Sequence, residues 1–196
     1  MLLRFDHLRG YSLRATDGSL GSVTDLLFDD QSWTVRWLVV DTAWLFGRRV
    51  LLAPEALGQP DDAARELPVN LTKDRIKNAP DVDTEKPVSR QHETSLYAYY
   101  GWAPYWGVGG WAAPILPAPG VPYPAAGGAP GAASREAAEL QAAQHDSHLR
   151  SGREVTGYHI RATDDSVGHV QDLLIDTDAW AIRYVLVDTR NWLPGR

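Results

Sequence analysis

The chain has 196 residues, 44% hydrophobic and 22% charged, with a formal net charge of −6 and no cysteine. That is the composition of an ordinary globular protein. It excludes disulfides, thiolate metal sites and cysteine nucleophiles, and an acidic balance without Lys/Arg clusters argues against nucleic-acid binding. The opening MLLRFDHLRG has no apolar core and is charged at positions 4, 6 and 9, unlike a secretory signal. No run of about 18 apolar residues free of Pro and Gly reads as a transmembrane helix. The expectation is a soluble, cytoplasmic protein.

In chain order, Thr16-Asp17-Gly18-Ser19 is a turn, followed by a strand from Ser19 to Asp29. A second turn, Asp29-Asp30-Gln31-Ser32, leads into a strand from Trp33 to Thr42. In this second strand Val35, Trp37 and Val39 alternate with Arg36, Leu38 and Val40, the period of two that marks extended chain. Leu38-Val39-Val40 is apolar on both faces and is expected to be covered on both sides. A fourth strand, Val50 to Ala53, stops at Pro54, and an edge strand runs from Glu66 to Leu71. Thr72 reads as the N-cap of a short helix, Lys73 to Asn78, which ends before Pro80. Meanders of this size close into small barrels, so residues 1–82 read as one unit.

Composition then changes. Between Thr94 and Ser134 there is no charged residue, and this stretch holds five of the eight tyrosines, three of the eight tryptophans and seven of the thirteen prolines. Residues 83–133 are expected to be an irregular linker. Its aromatics Tyr97, Tyr99, Tyr100, Trp102, Tyr105, Trp106 and Trp111 are the candidate partner-binding residues. Three roles stay open for them: covering apolar surface of the barrels, docking a protein partner, or lying at a membrane interface. A stacking platform for single-stranded nucleic acid is disfavoured, because no Lys or Arg is interleaved. Ser134 to Arg150 reads as a spacer helix with a thin apolar face.

The segment Gly10–Thr42 returns 147 positions later as Gly157–Thr189, identical at eighteen of thirty-three positions without a gap. Both copies must share one local fold. Copy two, residues 152–196, stops where copy one goes on to its fourth strand, and the expectation is a fragment or an open second barrel.

The residues carrying a family likeness are Gly10-Tyr11, Ala15, Asp17-Gly18, Gly21, Val23, Asp25, Asp29, Trp33, Arg36 to Thr42, Val50 to Glu55 and Val69 to Pro80. In combination they resemble the PRC-barrel domain, named for the cytoplasmic domain of the photosynthetic reaction-centre H subunit. The resemblance implies a mainly β chain of two small barrels from an internal duplication, the second apparently truncated. It implies macromolecular binding rather than catalysis. The leading reading is a non-catalytic adaptor that engages a protein partner or self-associates. The alternative is a peripheral membrane or reaction-centre-associated protein assisting assembly or electron and proton transfer, placed at the inner membrane.

Chemistry-bearing residues add little. Asp17, Asp25, Asp29 and Asp41 recur as Asp164, Asp172, Asp176 and Asp188. They read as turn formers and strand ends, with Asp25 facing Arg36, rather than as cation ligands, since the spacing of a calcium loop is absent. His145 and His148, one helical turn apart, lack a carboxylate that would complete a zinc pattern. No catalytic motif appears, and neither a metal nor a cofactor is expected.

Overall fold

A computed structural model describes residues 1–42, 47–80, 88, 90–105, 148–163 and 166–189. The chain is mainly β, and its strands form a curled, half-barrel sheet. Residues 1–87 and 147–196 make one compact unit, and residues 88–146 another.

The first unit starts with β1 (Leu2–Arg4) and a single helical turn α1 (Phe5–Leu8). The meander of copy one follows: β2 (Ser12–Ala15), β3 (Gly18–Asp29), β4 (Thr34–Asp41) and β5 (Arg49–Leu52). A 3-10 turn at Pro54–Ala56, β6 (Glu66–Pro68) and α2 (Lys73–Lys77) complete that copy. These elements match the predicted strands and helix within a few residues. Thr72 caps α2 as expected, its hydroxyl accepting from the Arg75 amide. Asp17 supports the same helix start, accepting from the Lys73 amide at 2.9 Å. Leu38, Val39 and Val40 are all buried. β4 is also interior to the sheet, pairing with β3 on one edge and with β5 on the other.

Copy two comprises β7 (Leu149–Ser151), the turn α4 (Gly152–Val155), β8 (His159–Arg161), β9 (Ser166–Asp176) and β10 (Ala181–Asp188). The spacer helix expected over 134–150 does not reach its end, because His148 has a positive φ of 51° and Leu149 begins a strand. A left-handed residue cannot continue a right-handed helix. Residues 134–147 lie outside the described residues.

The sheet order is β1-β9-β10-β4-β3-β2-β6, with β5 added to β4, β7 to β3 and β8 to β9. The copies therefore share one hydrogen-bonded sheet, whereas the sequence reading treated each as a barrel of its own. The sharing is reciprocal. β1 pairs with β9 of copy two in the register Leu2↔Asp176, Leu3↔Ile175 and Arg4↔Leu174. β7 pairs with β3 of copy one in the register Leu149↔Asp29, Arg150↔Phe28 and Ser151↔Leu27. Adding 147 to the copy-one residue of each pair and subtracting 147 from its copy-two partner converts the first set of pairs into the second. Between them β4 meets β10 at Thr34↔Ala181, again equivalent positions. The Val35 amide donates to Trp180 O at 2.7 Å and the Ile182 amide to Trp33 O at 2.8 Å. A pseudo-twofold axis passes through this crossing.

Two backbone features repeat across that axis. Trp33 and Trp180 both sit at positive φ, 57° and 47°, a conformation bulky residues rarely adopt. Each presents its carbonyl to the other copy, so the exchange itself holds the strained turn in place. Gly21 and Gly168 are also equivalent, with φ of 154° and 145°. A Cβ there would lie 2.1 and 2.0 Å from the carbonyl oxygens of Asp41 and Asp188. Only glycine lets those strand ends come so close.

The second unit contains α3 (Arg90–Tyr100). An irregular linker was expected here. The segment from Arg90 to Tyr100 holds neither Pro nor Gly, so nothing in it prevents a helix, and Gly101 at φ 76° closes it.

Candidate interaction surface

The repeated aspartates are the natural starting point for a chemical site, and the structure uses them for architecture. Asp172 is 1% exposed and lies under the N-terminal arm. Its carboxylate accepts from Arg4 Nε at 2.7 Å, the Asp6 amide at 3.1 Å and the Leu173 amide at 2.8 Å. Its equivalent Asp25 accepts from the Ser151 hydroxyl, the Arg153 amide at 3.1 Å and the Leu26 amide at 2.8 Å. Each therefore pins the other copy's leading strand and helical turn. The expected Asp25–Arg36 pair is not formed: Asp25 is taken by copy two, and Arg36 reaches Asp29 at 3.5 Å.

Asp29 and Asp176 are turn formers, as expected. Asp29 accepts from the Gln31 and Ser32 amides at 3.0 and 2.9 Å. Burial pushes the Asp29 carboxyl up, but those two amides and Arg36 outweigh it and hold the group below its ordinary value of 3.8. Asp176 is held low first by the Asp178 amide and further by Arg183. A carboxyl depressed in the folded state adds stability above its unfolded pKa, and that share is lost as pH falls through the folded value. Acid titration followed by circular dichroism should therefore show stability dropping below about pH 4, and Asp29→Asn should flatten that drop. Asp41 and Asp188 end β4 and β10; Asp164 lies outside the described residues.

Tyr11, His7 and Asp62 form a small polar group that sequence reading missed. The buried Tyr11 hydroxyl bonds to Asp62, and His7 Nε2 lies 2.9 Å from the same carboxylate oxygen. Burial, then the bond and charge of Asp62, push the phenol up to about 12. A phenol this hard to ionise stays protonated and serves as a tether, tying the loop that leads to β6 down onto β2. Among the described residues no group of three His, Asp or Glu side chains could hold a metal ion. His148 is not on a helix; it meets Asp30 at 3.3 Å.

The predicted aromatic site divides. Tyr97 and Tyr100 are buried, while Tyr99, Trp102 and Tyr105 are half-buried; Trp106 and Trp111 lie outside the described residues. The five described residues pack on each other. Tyr100 stacks on Trp102 with centroids 4.3 Å apart, and Tyr97 meets Trp102 and Tyr105 edge-on at 6.1 and 6.2 Å. Buried Glu93 organises the cluster, accepting from Arg90 at 3.0 Å and from the Tyr105 hydroxyl at 3.1 Å. Arg90 also stands over the Tyr105 ring at 5.2 Å. Burial and the Glu93 charge raise the Tyr105 phenol to about 12.

Among the described residues the exposed aromatics belong to the first unit instead, Trp33 in the turn before β4, Tyr158 before β8 and Tyr184 on β10. Tyr184 is 60% exposed, Tyr158 47% and Trp33 40%. Their equivalents Trp37, Tyr11 and Trp180 are buried. Trp33 and Tyr184 line a groove of about 350 Å³ with Ile182, Arg183 and Val185. The Trp33 ring stacks on Phe28 with centroids 5.5 Å apart, and its backbone amide donates to Asp29 O at 2.8 Å. Arg183 is drawn to Asp176 at 3.2 Å, and the groove walls are polar and apolar in nearly equal parts. The repeat alone did not mark this surface: Tyr158 and Tyr184 match Tyr11 and Trp37 in copy one, which are aromatic as well but buried.

No family model matches the chain, and a search of curated proteins finds no match either.

Proposed function

We propose that this protein is a non-catalytic binding module of the PRC-barrel kind, which engages a protein partner through the groove beside Trp33 and Tyr184. The observation that carries the reading is the exposure of these aromatics, with the Trp33 ring stacked on Phe28. Aromatic side chains with an apolar body and a polar tip are what protein interfaces select, and a held side chain loses little entropy on docking. Further support comes from the acids: Asp25, Asp29, Asp172 and Asp176 are all occupied by backbone amides and cross-repeat partners, so none is left as an acid–base pair. In this reading the two copies are PRC-type half-barrels joined into one platform, and the partner is another protein or a second copy of the chain.

Site-specific photo-crosslinking tests it. A benzophenone amino acid replacing Tyr184 should yield one discrete protein adduct in the native host, and the same probe replacing the exposed Arg14 should not. Equal smears at both positions, or no adduct at Tyr184, would remove the proposal.

A further inference from the structure

The pseudo-twofold axis brings equivalent positions of the two copies face to face, and at one of them the residues are opposites in size. Phe5 opens α1, and 147 positions later Gly152 opens α4. Phe5 is 2% exposed and Gly152 is buried. A Cβ added to Gly152 would lie 3.0 Å from both Cε1 and Cζ of Phe5 and 3.2 Å from a methyl of Leu26. The Phe5 ring thus fills the space a side chain at 152 would need. Gly152 has no left-handed backbone that would demand glycine; the atoms nearest the site are those of Phe5 and Leu26. We infer that Phe5 and Gly152 form a size-complementary pairing element that makes repeat one bind repeat two and rejects pairing of like with like.

Residues that are equivalent and in contact lie on the axis, so a pairing of two copies of repeat one would set Phe5 against Phe5. Two rings cannot share a space that one already fills in a close-packed core. Pairing two copies of repeat two would set Gly152 against Gly152 and leave a void the size of a phenyl ring. Only the unlike pair fills the axis. The main-chain pairing is permissive, because the strand registers of the two arms are equivalent. Discrimination must come from side chains, and the ring at this position supplies it by repulsion as well as fit. It also states what a second chain can do: any exchange of repeats between two molecules must join repeat one of each to repeat two of the other.

The full-length chain can report this, because single substitutions create the like-with-like contacts within one molecule. Gly152→Phe places two rings on the axis, and Phe5→Gly places two glycines there. Each should lower the thermal midpoint, on the order of 5–10 °C, and speed amide exchange at Leu3 and Leu149 more than at Val50 and Leu51. The double variant Phe5→Gly with Gly152→Phe moves the ring to the other side of the axis. It should recover at least half of the midpoint lost in Gly152→Phe and restore slow exchange at Leu3 and Leu149. If the double variant is no better than Gly152→Phe alone, or if Gly152→Phe behaves as wild type, the pairing element does not exist.

Discussion

Gly21→Ala should cost about 3 kcal/mol or more, enough to remove a large share of the stability of a domain of this size. The added methyl carbon would lie 2.1 Å from the Asp41 carbonyl oxygen and 3.0 Å from its carbon. Both atoms are backbone, so no rotamer change relieves the clash, and β3 and β4 must separate where Ser22 pairs with Asp41. The φ of 154° adds strain of its own. Gly168→Ala should act alike, since its clash with Asp188 O is as close, at 2.0 Å. Copy two's strand has fewer buried neighbours at that end, with Val185, Leu186 and Val187 only half-buried, so its loss should be the smaller. Urea unfolding of the two variants measures both values. Near-wild-type stability for Gly21→Ala would mean that β3 and β4 do not approach as described.

Asp172→Ala should be the second large effect, about 2–3 kcal/mol. Its carboxylate is 1% exposed and satisfies two backbone amides, Asp6 and Leu173, as well as Arg4. Removing it leaves those amides without their acceptor under the N-terminal arm, and an orphaned buried donor costs more than a hydrogen bond contributes. The guanidinium of Arg4 is half-exposed and can turn to water, so its share is the smaller part. Asp25→Ala should cost less, about 1–2 kcal/mol, because Asp25 is only half-buried. The ordering matters most. If the aspartates were merely local turn residues, both substitutions would be nearly neutral, and neither would loosen the other copy's leading strand.

The sequence makes one level of this architecture legible and hides the next. Alternation along Val35–Val40 identifies β4, Thr72 marks the start of α2, and the duplication guarantees that β9 and β10 copy β3 and β4. Pairing partners were not legible, because alternation specifies which face of a strand is buried and not which strand lies beside it. The arms that perform the exchange escaped for a second reason. At the same spacing of 147, residues 1–9 align with 148–156, but only Leu2 and Leu149 are identical. Main-chain hydrogen bonds carry β1 and β7, so side chains there were free to diverge, down to Phe5 against Gly152. Asp25 shows the consequence. Beside Arg36 in a one-copy reading it looks like half of a local ion pair, and its real partners, Ser151 and Arg153, are 126 and 128 residues away.

The aromatic residues teach a related lesson. Density of Tyr and Trp in the linker drew attention to Tyr97 and Tyr100, yet both are buried beside Trp102. Composition counts side chains without locating them. Tyr184 stood in plain view within the repeat as the partner of Trp37, and only the sheet shows that one is covered and the other open.

Interstrand nuclear Overhauser effects in the isotopically labelled full-length chain address the shared sheet most directly. Cross-peaks linking Thr34 with Ala181, Leu3 with Ile175 and Arg150 with Phe28 should all appear alongside those within each meander. If the β3–β4 and β9–β10 peaks were present while these three were missing, the copies would be separate sheets and the exchange described here would be wrong.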